Sequence, residues 1–521
     1  MPEAPFSLDR PILILGGGIN GAAAARELTL NGHSVLLVDQ ADLASGATAY
    51  SSRLIHGGLR YLEYGEFSLV KESLAERTRL LQLAPDFVRP LRLFIPVQSQ
   101  LGGLWQSATK FLGLGGGGKP EPRGLALVRT GLWMYDTYAQ DKTLPLRSIH
   151  SLKEPGVPPV SPSAGAWLAA YSDAQIAFPE RFVVALLRDA QKAADENGCT
   201  LQVLTYHRAR LEKDIVHITK ANHESDDKPI LSFQPSAIIN ATGAWVDETL
   251  QKLPLPSRRL MGGTKGSHFF TWHPQLKEML GGNGIYTEAA DGRPVFLLPL
   301  AEGTLVGTTD LPFNGDPATA VATDEELDYL VNVVANIFPA ASLDRSDIAW
   351  HYSGVRPLPH VDAKTTAAIT RRHQLVWNEE SPIPLLSLVG GKLTTCRSLA
   401  EETAAAVLGR LGESAGDVRN SRARVIAGGV LEKERQRDGE LGRWEEAVRR
   451  IIREEWVTTL GDLVERRLML LYDPQLDRLM LEGLAQILCD EGKLAANDIG
   501  PAVEVCIHRL ETHFGLSNFR R

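Results

Sequence analysis

At 521 residues the chain is too long for one simple hydrophobic core, and two or three domains are expected. Hydrophobic residues make up 44% and charged residues 23%, as in a globular protein, and a formal charge of −8 argues against general nucleic-acid affinity. Cys199, Cys396, Cys489 and Cys506 lack C-x-x-C spacing, so neither a disulfide framework nor a metal site is expected.

The first apolar run is expected to be a strand and not a signal peptide, because no basic region precedes it and it leads straight into a glycine turn. No stretch of about 18 apolar residues follows, which leaves surface attachment to a membrane open but not a spanning helix. From Pro11 to Asp39 the text reads strand (Ile12 to Leu15), glycine turn, small-residue helix (Ile19 to Leu30), a stop at Asn31-Gly32, and a second strand (Val35 to Val38) ending in an acid. Gly16-x-Gly18-x-x-Gly21 sits between strand and helix. Its first glycine allows the tight turn, the second lets a pyrophosphate approach the backbone, and the third lets helix pack on sheet. The helix N-terminus then meets the phosphates, and Asp39 is placed to accept from a ribose hydroxyl. This motif alone does not choose between NAD and FAD.

Residues 41–67 are rich in Ala, Ser and Gly, punctuated by Arg53, His56, Arg60 and Tyr61, and suit a backbone lying close to a large planar ligand. Helices are expected at Phe67 to Leu83, ended by Pro85, and at Pro179 to Ala194, stopped by Gly198. Between Ser99 and Pro120, Trp105 and several leucines precede four glycines. That segment reads equally as a mobile insertion or as an interfacial membrane contact. Strands follow at Leu201–Leu204 and Ile215–Ile218. The run Ala237 to Gly243 is a buried strand ending in a small-residue turn, expected beside the first strand, and it favours FAD over NAD. From Arg258 to Arg372 strands dominate, broken by one helix with a Thr323/Glu326 capping box and the stripe Leu327, Leu330, Val331, Val334, Ile337 and Phe338. Leu385 to Thr395 returns to strand, glycine turn and helix start, and beyond Gly428 the chain is charge-rich and helical, like a separate cap.

Several runs together resemble the FAD-dependent, respiratory glycerol-3-phosphate dehydrogenases of the glycine/D-amino-acid-oxidase-like flavoproteins. They are GGGINGA (Gly16 to Ala22), SSRLIHGGLRYLE (Ser51 to Glu63), GLWMYD (Gly131 to Asp136), YSD (Tyr171 to Asp173), NATGAWVD (Asn240 to Asp247), KGSH (Lys265 to His268), GTTD (Gly307 to Asp310), YSGVRPL (Tyr352 to Leu358), AITR (Ala368 to Arg371), GGKLTT (Gly390 to Thr395) and EEWVTTLGDLVERR (Glu454 to Arg467). HGGLRYLE with YSGVRPL is specific, whereas the fingerprint alone identifies only the superfamily.

The resemblance implies an α/β fold with three parts: a discontinuous Rossmann-like FAD domain (1–80, 172–247, 385–410), a mostly antiparallel β substrate domain (81–171, 248–384) and a C-terminal helical cap (411–521). It implies FAD held by Gly16, Gly18, Asn20, Gly21, Asp39, Ser51, Ser52, His56, Gly57, Gly58, Thr242, Gly243, Gly390, Gly391, Leu393 and Thr394. Oxidation of sn-glycerol 3-phosphate to dihydroxyacetone phosphate is the implied reaction, and the substrate phosphate asks for cations. By resemblance Arg356 and Arg371 hold that phosphate, while Arg60, Tyr61 and Lys392 orient the glycerol hydroxyls. Arg60, His268, Arg356 and Lys392 form the catalytic set. The base stays open among His268, placed slightly ahead, His56, Lys392 and an alkoxide-stabilising arginine. The Gly390-Gly391 turn is expected to open a helix toward the flavin ring.

Membrane quinone as electron acceptor, peripheral attachment to the inner face of the cytoplasmic membrane and a homodimer are further implications. Rivals are an oxygen-using glycerol-3-phosphate oxidase, an amine or amino-acid oxidase, and a flavin-binding scaffold without catalysis. Three departures stand out: Arg372 follows Arg371 where relatives usually carry an acid, so that either of the two is a candidate for the phosphate; Arg53 replaces a frequent lysine; and the Ser99 to Pro120 segment with its four glycines is peculiar to this sequence.

Overall fold

A computed structural model describes residues 10–98, 125–139, 141–221, 228–360, 372–414, 416–428, 441–517 and 519. The expectations for the Ser99 to Pro120 segment and for Arg371 lie outside the described residues.

The first strand, β1 (Ile12–Leu15), has all four side chains buried because both faces of its parallel sheet are covered, one by helices and the other by the strands His207–Glu212 and Ile215–Lys220 with the short helix Val246–Lys252. After the glycine turn comes α1 (Ile19–Leu30), then β2 (Val35–Val38). Ala22 to Ala25 in α1 are all buried, and their small size lets the helix lie between the helices Pro179–Asn197 and Cys396–Arg410. Arg26 is buried with them and pairs with Asp189 at 2.6 Å. The sheet runs Gln374–Asn378, Leu385–Val389, Ala237–Asn240, β1, β2, Leu201–Leu204, parallel except for the first pair. Ala237–Asn240 does lie beside β1, residue for residue from Ile12 with Ala237 to Leu15 with Asn240.

The second sheet is mainly antiparallel and carries the other wall of the site. Its strand Thr264–Thr271 pairs with Trp350–Arg356, placing His268 opposite Tyr352 and Thr264 opposite Arg356. The expected capping box forms at the helix Asp324–Ile337. Its buried stripe takes Val333 in place of Val331, which is half-buried, so the apolar face is rotated by about one side chain from the sequence expectation. A second short helix, Pro274–Leu280, was not expected from the strand-rich pattern around it.

The C-terminal helices Leu441–Glu454, Arg478–Asp490 and Ile499–Phe514 share one apolar core with Phe270, Trp350 and Tyr352 of the second sheet. Between the first two, Asp462–Arg467 forms a π-helical turn within the region read as helical. Among the described residues, no helix is long and apolar enough to cross a membrane.

Candidate active site

A cavity of about 1870 Å³ runs along the C-terminal ends of β1, β2, Ala237–Asn240 and Leu385–Val389, and reaches the second sheet. Open α/β sheets bind ligands at this edge. The volume exceeds the roughly 300–1,000 Å³ of an ordinary small-molecule site, and so has room for a dinucleotide and a second ligand.

Each fingerprint glycine has a separate physical reason. Gly16 has φ +105, and a Cβ there would lie 2.6 Å from the Ala241 carbonyl oxygen, so only glycine fits. A Cβ on Gly21 would overlap the Gly16 carbonyl oxygen, so Gly21 sets how closely helix meets turn and does not itself line the cavity. Gly18 does line it, and a Cβ there would meet nothing nearer than the Thr48 hydroxyl at 3.4 Å. That side is open for a ligand. The N-cap Gly18 has no side chain to cap α1, and Thr48 Oγ1 takes the Ile19 N–H at 3.1 Å; the remainder of this helix N-terminus is suited to phosphate. Asn20 Oδ1 is buried with no hydrogen-bond partner among the described residues, a donor-seeking atom at the same place. Its amide reaches the Gly390 carbonyl at 3.4 Å and so ties the two glycine turns together.

Asp39 accepts from Gly17 N–H at 2.6 Å and Ala41 N–H at 2.8 Å. Burial nevertheless pushes its carboxyl up to about 6. The loop after Arg53 is braced from behind. His56 N–H donates to Thr394 Oγ1 at 3.0 Å, and Gly57 N–H donates to Tyr135 Oη at 2.8 Å. Tyr135 in turn donates to Asp173 at 2.7 Å, and Arg77 reaches the same carboxylate at 3.2 Å. Gly57 is thus an anchor that faces Tyr135 and not the cavity, unlike Gly58 beside it. Arg53 is also structural: it is 3% exposed and bonded through both terminal nitrogens to Glu180 at 2.7 and 3.0 Å.

The cavity gathers Ser51, Ser52, His56, Gly58, Arg60 and Tyr61 from this loop. It gathers Thr242 and Gly243 from the third strand end, and Gly390 to Thr394 from the fourth. From the second sheet come His268 and Arg356. Gly390 and Gly391 have φ +86 and +97, but the helix they were expected to open begins only at Cys396. Residues Lys392 to Thr395 form an intervening turn that carries the lysine into the cavity.

Arg356 is fixed by Asp310 at 2.9 Å and Thr308 Oγ1 at 2.8 Å, in space left by Gly266, whose Cβ would overlap the guanidinium. Lys392 donates to Ser73 Oγ at 2.7 Å and sits 4.7 Å over the Tyr61 ring. Both histidines are uncharged: burial first, then Lys392, lowers His56 to about 3, while burial, Arg356 and Arg53 hold His268 well below its ordinary range. The intrinsic imidazole value read from sequence is therefore shifted in both. His268 Nε2 lies 2.9 Å from Ser52 Oγ, its ring stacks on Tyr352, and its Nδ1 is buried without a partner among the described residues. Arg372 is exposed and does not line the cavity.

Asp310, Thr308, Ser73, Tyr135 and Asp173 went unassigned in the sequence. Four of the five stand in the GTTD, YSD and GLWMYD runs, which was the available signal, whereas Ser73 gives none.

The family model for FAD dependent oxidoreductases (DAO) matches residues 11–397. The chain belongs to that family. Its cofactor is FAD, and the cavity fits it through the glycine turn, the orphaned Asn20 oxygen and the half-buried acid ending β2. A glycerol-3-phosphate dehydrogenase of Synechocystis is 37% identical over 427 residues, 78% of this chain and 71% of that protein. The aerobic glycerol-3-phosphate dehydrogenase of Escherichia coli is 34% identical over 400 residues, 75% and 72% of the two chains. D-erythritol 1-phosphate dehydrogenase of Brucella abortus is 33% identical over 393 residues, 75% and 72%. Among solved structures, glycerol-3-phosphate dehydrogenase from Bacillus halodurans complexed with FAD shares the fold. Its TM-score is 0.67 at 18% identity, covering 99% of this chain and 97% of that one.

Proposed function

We propose that the protein oxidises sn-glycerol 3-phosphate to dihydroxyacetone phosphate and passes the electrons to a membrane quinone, working as a homodimer attached peripherally to the inner face of the cytoplasmic membrane. The observation that carries the chemistry is the presence of Arg356 and Lys392 on the same cavity as the glycine turn. FAD, when bound, supplies the two-electron acceptor for the C2 hydride. Arg356, oriented by Asp310 and Thr308, presents a fixed guanidinium to the phosphate, with Arg371 as its partner in this reading. Arg60, Tyr61 and Lys392 orient the hydroxyls. His268 takes the C2 hydroxyl proton. Burial first, then Arg356 and Arg53, favour its uncharged form, and the arriving phosphate dianion offsets the part that Arg356 contributes.

A four-carbon polyol phosphate is the second reading, favoured by the 33% identity to D-erythritol 1-phosphate dehydrogenase. Comparing kcat/KM for the two phosphates decides between them. Anaerobic turnover with a soluble quinone analogue tests the acceptor: quinone-supported turnover is expected, and activity only with oxygen, with peroxide formed, overturns it.

A further inference from the structure

The run Glu454 to Arg467 lies beyond residue 397, where the family match ends, and the reaction above makes no use of it. Yet Thr458, Thr459, Leu460, Gly461 and Arg466 line the same cavity as Asp39. The two threonines are exposed although they lie between buried residues, and the Thr459 hydroxyl is held by the buried Asp462 at 2.8 Å, so the turn presents a fixed surface to the cavity.

What holds this turn is a buried charge cluster. Asp42 stands three residues past the acid that ends β2 and is 1% exposed. Its carboxylate accepts from Arg467 at 2.7 and 2.9 Å and from Arg466 at 2.6 Å. Buried charges persist only when paired in this way. Arg467 also donates to the Glu455 carbonyl at 2.9 Å, and Asp462 accepts both the Thr458 and Thr459 N–H groups at 2.9 Å. A second set of contacts ties the turn to the backbone around the acid. His207 N–H donates to the Asp39 carbonyl at 2.9 Å and Tyr206 N–H to the Ala41 carbonyl at 3.2 Å. Tyr206 Oη bonds to Asp462, and Thr205 Oγ1 lies 3.3 Å from Thr458 Oγ1. An acid at the end of β2 takes ribose hydroxyls, so this end of the cavity belongs to the adenosine half of the dinucleotide.

From this we infer that Thr458 to Gly461 form the outer wall of the adenosine half of the FAD site, with Asp42, Arg466 and Arg467 as positioning residues that hold the wall in place. The inference rests on FAD as cofactor. It distinguishes FAD from FMN, which shares the isoalloxazine and first phosphate but has no adenosine to touch the wall.

Titration of the full-length apoprotein with FAD and with FMN, followed by flavin fluorescence, tests it. Asp42→Asn is expected to weaken FAD by about tenfold, roughly the loss of one neutral hydrogen bond and its packing at the displaced wall, and to leave FMN affinity unchanged. A paired variant, Thr205→Cys with Thr458→Cys, keeps the charge cluster and ties the wall shut when oxidised. It should slow FAD release about tenfold, revert in dithiothreitol, and leave FMN release unaffected. Equal weakening of FAD and FMN by Asp42→Asn overturns the inference, as does an oxidised pair that releases FAD at the wild-type rate. A wild-type protein that binds neither flavin overturns the cofactor assignment itself, a result distinct from these.

Discussion

His268 Nε2 and Ser52 Oγ lie 2.9 Å apart on the wall of the cavity, joining the antiparallel sheet to the loop that follows β2. The imidazole is a free base because burial and two arginines disfavour its charged form. Its folded value lies below the ordinary 6.5, so the acid limb of kcat/KM that it contributes falls below pH 6.5. Replacing His268 by Gln is expected to lower kcat about 10²- to 10⁴-fold and to remove that limb. A pH profile of both proteins checks it.

Arg356 is held in place by Asp310 and Thr308 before any ligand arrives, so its contribution is to binding. A charge-assisted hydrogen bond is worth roughly 1.5–3 kcal/mol, or about 10- to 150-fold in affinity. Arg356→Leu should raise KM for the phosphorylated substrate by that factor. Any turnover of unphosphorylated glycerol should be affected far less, as steady-state kinetics on both will show.

The two alanine substitutions in the fingerprint should behave differently. In Gly21→Ala the new methyl overlaps a backbone oxygen that cannot yield, and overpacking of this kind costs about 1–3 kcal/mol. Melting of the apoprotein should show it. Gly18→Ala points into open cavity, so apoprotein melting should stay near wild type while FAD affinity falls about tenfold or more.

Asp39 gives a pH dependence of cofactor binding with a defined sign. In the free protein it takes up a proton near pH 6, and the ionised carboxylate is the better acceptor for ribose hydroxyls. FAD binding therefore favours the deprotonated form. Affinity should be level above about pH 6 and fall by up to about tenfold per unit below it. Asp39→Asn should bind weakly with no such slope in flavin titrations across pH 5–8.

Much of this arrangement was legible in the sequence because local pattern encodes it. Strand, glycine turn, helix, strand and acid are contiguous between Pro11 and Asp39, and the Thr323/Glu326 cap is a four-residue signal. What could not be read depends on contacts between distant residues. Ser73 meets Lys392 across 319 positions and Arg467 meets Asp42 across 425, and neither polar residue stands out in its own helix or loop. The lowered state of the two histidines is likewise a product of burial that no local spacing reports. Gly57 was assigned to the cofactor from its motif, but its N–H is used by Tyr135, because a glycine needed for close packing and one needed for ligand approach look alike in sequence.

The central claim is that the cavity holds a flavin which a phosphorylated polyol reduces. Mixing the purified holoprotein anaerobically with sn-glycerol 3-phosphate, while the visible flavin band is recorded, tests it most directly. Rapid bleaching of that band is expected, with Arg356→Leu requiring far more substrate to reach the same rate. An unchanged flavin spectrum at saturating substrate would contradict it.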